Sequence, residues 1–266
     1  MLKYLIIILV LFSCSPKLSQ KTARSSGRLI TGSEFYQEAI QMQWKQRDSF
    51  AVTRITAGNF PSFLRKLKKV NVSMLDSTSG KTIKASYFVT PDYLSIGTNK
   101  DWARIPLTPI AAQQLADAFN CFLPTTKIVD DIYKTARVKL EPVPMYIYRD
   151  STVTMWQHHL IIEGQRRNRK GLIAGIKKDV VISRKIGRSE KPNRVAIYGW
   201  HLMNGKPIQP LYTGHVNWYA DYSHGIRLVY RKIKVNGKWM DYVDVLSDPV
   251  LRKLICNEEY CDFYRY

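Results

Sequence analysis

The chain has 266 residues, 45% hydrophobic and 12% aromatic, enough apolar side chain for one large or two small domains. Lys and Arg number 41 against 21 Asp and Glu, a formal net charge of +20. A field of that size attracts polyanions, but no zinc finger, RNA-binding sheet or helix-turn-helix pattern accompanies it, which argues against nucleic acid as the partner.

At the N-terminus, Lys3 precedes an apolar run from Tyr4 to Phe12. A membrane-spanning helix needs roughly 20 apolar residues, so this run fits the apolar core of a signal peptide instead. It ends in Leu11-Phe12-Ser13-Cys14. That ending resembles the lipobox of bacterial lipoprotein precursors, with Leu three before the cysteine and a small residue just before it. Phe12 is bulkier than the residue usual at its place. The resemblance implies that residues 1–13 are removed, that Cys14 carries a diacylglycerol, and that the chain is exported and anchored to a bacterial membrane in the cell envelope. The other reading is an ordinary secretory signal, against which stands the missing A-x-A cleavage pattern. The polar, basic stretch after Cys14 reads as a flexible tether over residues 14–32.

Residues 33–47, opening with Ser33 and carrying Phe35, Ala39, Met42 and Trp44, predict one capped amphipathic helix. A helical turn follows Pro61. Strands are expected at Val70–Leu75, Thr82–Val89, Tyr93–Ile96 and Trp102–Leu107, separated by turn residues. Thr108-Pro109 starts a helix to about Phe119, and Pro124 starts another to about Ala136, with Cys121 in the elbow between them. Glu141-Pro142-Val143-Pro144 is the candidate boundary between a helical and stranded subdomain (33–141) and a β-rich one (145–266).

Beyond it, a helix is expected over Asp150–Gln165, then strands at Asp179–Ser183, Val195–Trp200 and Ile208–Tyr212. Asn236-Gly237 between Ile226–Val235 and Lys238–Val245 marks a long hairpin with a type I′ turn, before a short terminal helix. The class is α+β.

Cys256 and Cys261 lie five apart in a chain bound for an oxidising space, and are expected to pair. Cys121 is then left over; its commonest role is that of a small buried hydrophobe.

All five histidines fall between residues 158 and 224. The segment from Gly214 to Arg227 is rich in polar and aromatic residues, as functional loops are. In a catalytic reading, His215 or His224 is the base, Asp221 orients it, Arg227 clamps a substrate carboxylate, and Cys121, Ser223 or water is the nucleophile, with His201 nearby. Ser223-His224-Gly225-Ile226-Arg227-Leu228 is similar to the Ser-His-Gly-Cys-Ile-Arg signature of L,D-transpeptidases, which cross-link peptidoglycan. The cysteine that serves as nucleophile there is missing here, because Ile226 directly follows Gly225.

A zinc site from His201, His215, Asp221 and His224 is the alternative, without the HExxH spacing; no other cofactor is expected. In the bland reading these side chains pack within a polar core beneath the hairpin. Two functions follow from export and charge. One is a hydrolase or transpeptidase-like enzyme acting on peptidoglycan or another envelope polymer. The other is a non-catalytic lipoprotein that binds an anionic envelope polymer or a protein partner.

Overall fold

The computed structural model describes residues 15–19 and 28–266; the expected signal peptide and Cys14 lie outside them. The fold is mixed α+β, with strands concentrated in the C-terminal half.

Two helices, α1 (Gly32–Ala39) and α2 (Trp44–Thr56), replace the single helix expected over 33–47. Each carries its own start signal. Thr31 caps α1, and the Glu34 carboxylate accepts the Thr31 N–H at 2.8 Å, a capping box. Gln46 reaches back to the Gln43 N–H at 3.1 Å ahead of α2. A second start inside the periodic stretch ends the first helix.

A 3-10 turn at Ser62–Arg65 leads into β1 (Lys68–Leu75) and β2 (Thr82–Val89), an antiparallel ladder. Next come β3 (Ser95–Gly97) and β4 (Trp102–Arg104), a short hairpin. Thr108 caps α3 (Pro109–Ala118), with proline at its start. Cys121 then lies in a strand, β5 (Cys121–Phe122), rather than in a loop between helices. Thr125 caps α4 (Thr126–Thr135), which buries Ile128, Val129, Ile132 and Tyr133.

The strand β6 (Val138–Lys139) pairs in parallel with β7 (Ile173–Ala174) across α5 (Thr152–Arg166). Then follow β8 (Lys178–Val181), α6 (Arg184–Gly187), β9 (Ala196–His201), β10 (Pro207–Tyr212), β11 (His224–Gly225) and β12 (Val229–Tyr230). The hairpin of β13 (Lys232–Val235) and β14 (Lys238–Asp241) turns at Asn236 and Gly237, whose φ angles of 45° and 88° suit a type I′ turn. Its ladder is shorter than expected. The Asp241 carboxylate accepts the Val243 N–H at 3.2 Å and converts Tyr242–Ser247 into α7.

The larger sheet has the order β14-β13-β2-β12-β5, with β1 also paired to β2. Its strands come from both sides of the Glu141–Pro144 segment, and one apolar cluster joins Leu18, Phe35, Tyr87 and Leu115 to Val245 and Cys261. The ranges 33–141 and 145–266 thus share a sheet and a core. The smaller sheet runs β10-β9-β8-β11. Its β11 joins β8 in parallel and sets His224 opposite Lys178. Cys256 and Cys261 form a disulfide in the tail, and Thr125 and Thr126 hold that tail through Ile255 and Asn257.

Part of the expected tether is packed against the domain. Leu18 is 1% exposed, its N–H donates to the Arg65 carbonyl at 3.0 Å, and Lys17 bridges Lys66 in antiparallel register. Burying one leucine contributes about 2 kcal/mol, which with the Leu18–Arg65 backbone hydrogen bond offsets part of the entropy lost on ordering the segment.

Candidate functional site

The loop between β10 and β11 brings together His215, Asp221 and His224. Asp221 is fully buried. It accepts the Ser223 N–H at 2.9 Å and the Ser223 hydroxyl at 2.5 Å, the local Asx geometry of a turn. The Tyr219 hydroxyl donates to it at 3.2 Å, and an Arg149 nitrogen stands 3.0 Å away. Burial pushes the Asp221 carboxyl up, but the His224 ring, the Ser223 hydrogen bonds and Lys178 together bring it down to about 2. It is therefore a carboxylate at neutral pH.

The His224 Nε2 lies 4.0 Å from an Asp221 oxygen, beyond hydrogen-bond reach. Neither ring nitrogen of His224 has a hydrogen-bond partner among the described residues. Burial lowers its pKa to about 4, with Lys178 and His215 adding to the effect against the pull of Asp221. The ring is neutral and sits among Tyr219, at 5.8 Å between centroids, and His215, at 6.1 Å. His215 is half-buried, and burial lowers its pKa too.

A second polar layer lies beneath. Lys177 is buried, donates to the Tyr222 carbonyl and stands 3.2 Å from His158 Nδ1. Burial lowers its pKa to about 7, and Arg104 reinforces the shift. Gly225 explains the Ser-His-Gly sequence in packing terms. A Cβ there would come 2.5 Å from the Tyr93 ring and 2.6 Å from the Lys177 side chain, so only glycine fits.

A cleft of about 410 Å³, lined in part by Trp44, Ser151, Val216 and Trp218, reaches this cluster only through Tyr219. Asp221, Ser223 and His224 have no exposure. The cluster converges, but its own hydroxyl, that of Ser223, is committed to Asp221 and does not face the cleft.

The remaining sequence-predicted residues lie elsewhere. Arg227 is fully buried, donates to the carbonyls of Thr90 at 3.0 Å and Ile173 at 2.7 Å, and covers the Tyr93 ring at 4.1 Å. No face of it is open to a substrate carboxylate. Cys121 belongs to the larger sheet, its thiol directed at the Phe119 carbonyl, 3.4 Å away. Burial pushes that thiol well above the ordinary range, the opposite of an activated nucleophile.

His201 occupies a separate place. Its Nε2 lies 3.0 Å from Asp130 Oδ1, which also accepts the Tyr198 hydroxyl at 2.9 Å. Residues three apart in a regular strand face opposite sides. Here Gly199 and Trp200 have φ angles of 106° and 57°, which breaks the alternation and lets Tyr198 and His201 share one carboxylate. The imidazole stacks on Tyr133 at 4.5 Å between centroids.

His201 and Asp130 line a cavity of about 430 Å³ together with Lys134, Lys139 and Met203. An adjoining cavity of about 640 Å³ shares Lys139 and Met203 and adds Arg167 and Arg169. Through these shared residues the two cavities adjoin as a groove, with Tyr133 and Tyr198 along the first and Arg167, Arg169 and Glu141 along the second. Its signal in the sequence was the basic run Arg166–Lys170; Asp130, Tyr133 and Lys139 carried none.

Among the described residues, no three His, Cys, Asp or Glu side chains are placed to hold a metal ion. Also among them, no helix is long and apolar enough to cross a membrane. Comparison with family models, curated proteins and solved structures finds no match to this chain.

Proposed function

We propose that this chain is an exported lipoprotein, held at a bacterial membrane through lipid on Cys14, which binds an anionic envelope polymer in the groove between α4 and the β9–β10 turn. The observation that carries this reading is the groove itself. Lys134, Lys139, Arg167 and Arg169 line two joined cavities beside the Tyr133 and Tyr198 rings. Cations along a channel neutralise a polymer's repeating carboxylates or phosphates. His201, Tyr198 and Asp130 form a hydrogen-bonded wall along the first cavity. Fluorescence titration of the mature chain with a soluble anionic glycan tests it. Saturable binding that weakens with salt supports the reading, and no binding at low ionic strength withdraws it.

A second reading is an acid–base enzyme acting on the same polymer, with His215 or His224 as base and Asp221 as orienting carboxylate. It is favoured by the convergence of those residues and by the unpartnered nitrogens of His224. Tyr219 would have to move for substrate to reach them. Digestion of purified peptidoglycan by wild type and by His215→Ala and His224→Ala decides this reading. Absence of product with wild type removes it.

A further inference from the structure

We infer that the face formed by the N-terminal segment, the 3-10 turn and the start of β1 is the surface that lies against an anionic phospholipid bilayer. This rests on the reading of Cys14 as the lipidated residue. Leu18 is packed into the core and Lys17 is bridged to Lys66, so the segment that follows Cys14 is fixed to the domain. Four residues of chain span at most about 14 Å. A lipid on Cys14 therefore holds this part of the protein, and no other, at the membrane.

The same part is a concentrated cationic surface. Lys17, Lys66, Lys68 and Lys69 are all exposed. No acidic residue occurs between Asp48 and Asp76, a span that holds five basic ones. Lys253 is exposed on the 3-10 turn at Leu251–Leu254, which packs against β1. Like charges this close repel one another in the free protein. An anionic lipid surface removes the repulsion and attracts each lysine. Lipid and basic patch together then set the orientation of the domain; α4, which lines the groove with Asp130 and Lys134, packs against both β1 and β9.

Lysine acetylation footprinting of the lipidated full chain tests the inference, read by mass spectrometry on the same sample that gives the intact mass. On vesicles containing phosphatidylglycerol, modification of Lys66, Lys68 and Lys69 is expected to fall by at least about fivefold relative to detergent-solubilised protein. Lys206, in the β9–β10 turn, should be unchanged, and high salt or phosphatidylcholine vesicles should restore the patch to its detergent rate. Equal modification of the patch and Lys206 on anionic vesicles, with lipid present on Cys14, overturns it. If the intact mass shows no lipid, the anchor reading fails by itself. The face is then judged by sedimentation of the unlipidated mature chain with anionic vesicles. Loss of binding in Lys66→Glu/Lys68→Glu/Lys69→Glu supports it, and unchanged binding overturns it.

Discussion

Arg149, 41% exposed, places a guanidinium nitrogen 3.0 Å from the carboxylate of Asp221, which is fully buried. One half-solvated cation thus compensates a charge at the centre of the β10–β11 loop. Removing one partner of a fully buried pair costs about 3–5 kcal/mol. Solvent screening at Arg149 and the Ser223 and Tyr219 hydrogen bonds reduce this, so Arg149→Ala should destabilise by about 2 kcal/mol. Urea unfolding measures it. In Arg149→Ala/Asp221→Asn the loss should be smaller than the sum of the single losses.

Acid should weaken the fold early. Burial lowers His224 to about 4 from 6.5, and burial with Lys177 or Arg104 nearby also lowers His158 and His159. As pH falls below 6.5 the unfolded chain takes up protons that the folded chain refuses. This contribution is complete above that pH and is lost on the way down to about 4. Asp179 acts oppositely, since burial raises it to about 6 from 3.8 and the folded state keeps its proton longer. Three histidines outweigh one carboxylate. The melting temperature should drop between pH 6.5 and 5, with a shallower slope in His224→Leu. A melting temperature constant from pH 7.5 to 5 would contradict this.

Cys121 should be chemically silent. Its burial and raised pKa predict no alkylation by iodoacetamide in the native mature chain carrying Cys14→Ser, and full alkylation in guanidinium. Rapid native labelling would return Cys121 to the list of nucleophiles.

Arg227 should matter for stability and not for ligand. Arg227→Met leaves the Thr90 and Ile173 carbonyls without their donor and Asp179 without a neighbouring cation, a loss of about 3 kcal/mol. Glycan affinity per folded molecule should stay at the wild-type value.

These contrasts show what the sequence carried. Local signals were legible: Thr108-Pro109 at α3, Asn236-Gly237 at the hairpin turn, the apolar face of α4. Competing local signals misled. The periodicity of 33–47 hides the Gln43–Gln46 start of α2, and the strand-like stretch after Lys238 hides the Asp241 cap of α7. The His215–Asp221–His224 convergence was visible because one loop holds all three. Arg149, Lys177 and His158 join that cluster only through tertiary packing. Arg227 looked like a substrate clamp because a sequence cannot show that two backbone carbonyls already occupy its guanidinium. The groove escaped notice for the same reason, as Asp130, Lys139 and Arg167 come from three different elements or their ends.

Binding of an anionic envelope polymer in the groove can be measured directly. Its most direct test is co-sedimentation of the mature chain with insoluble peptidoglycan sacculi, comparing wild type with Lys139→Glu/Arg167→Glu/Arg169→Glu. Wild type should pellet at low ionic strength and be released by salt. The variant, with unchanged melting temperature, should bind at least about tenfold more weakly. Wild type left in the supernatant, or a folded variant that pellets equally well, would contradict it.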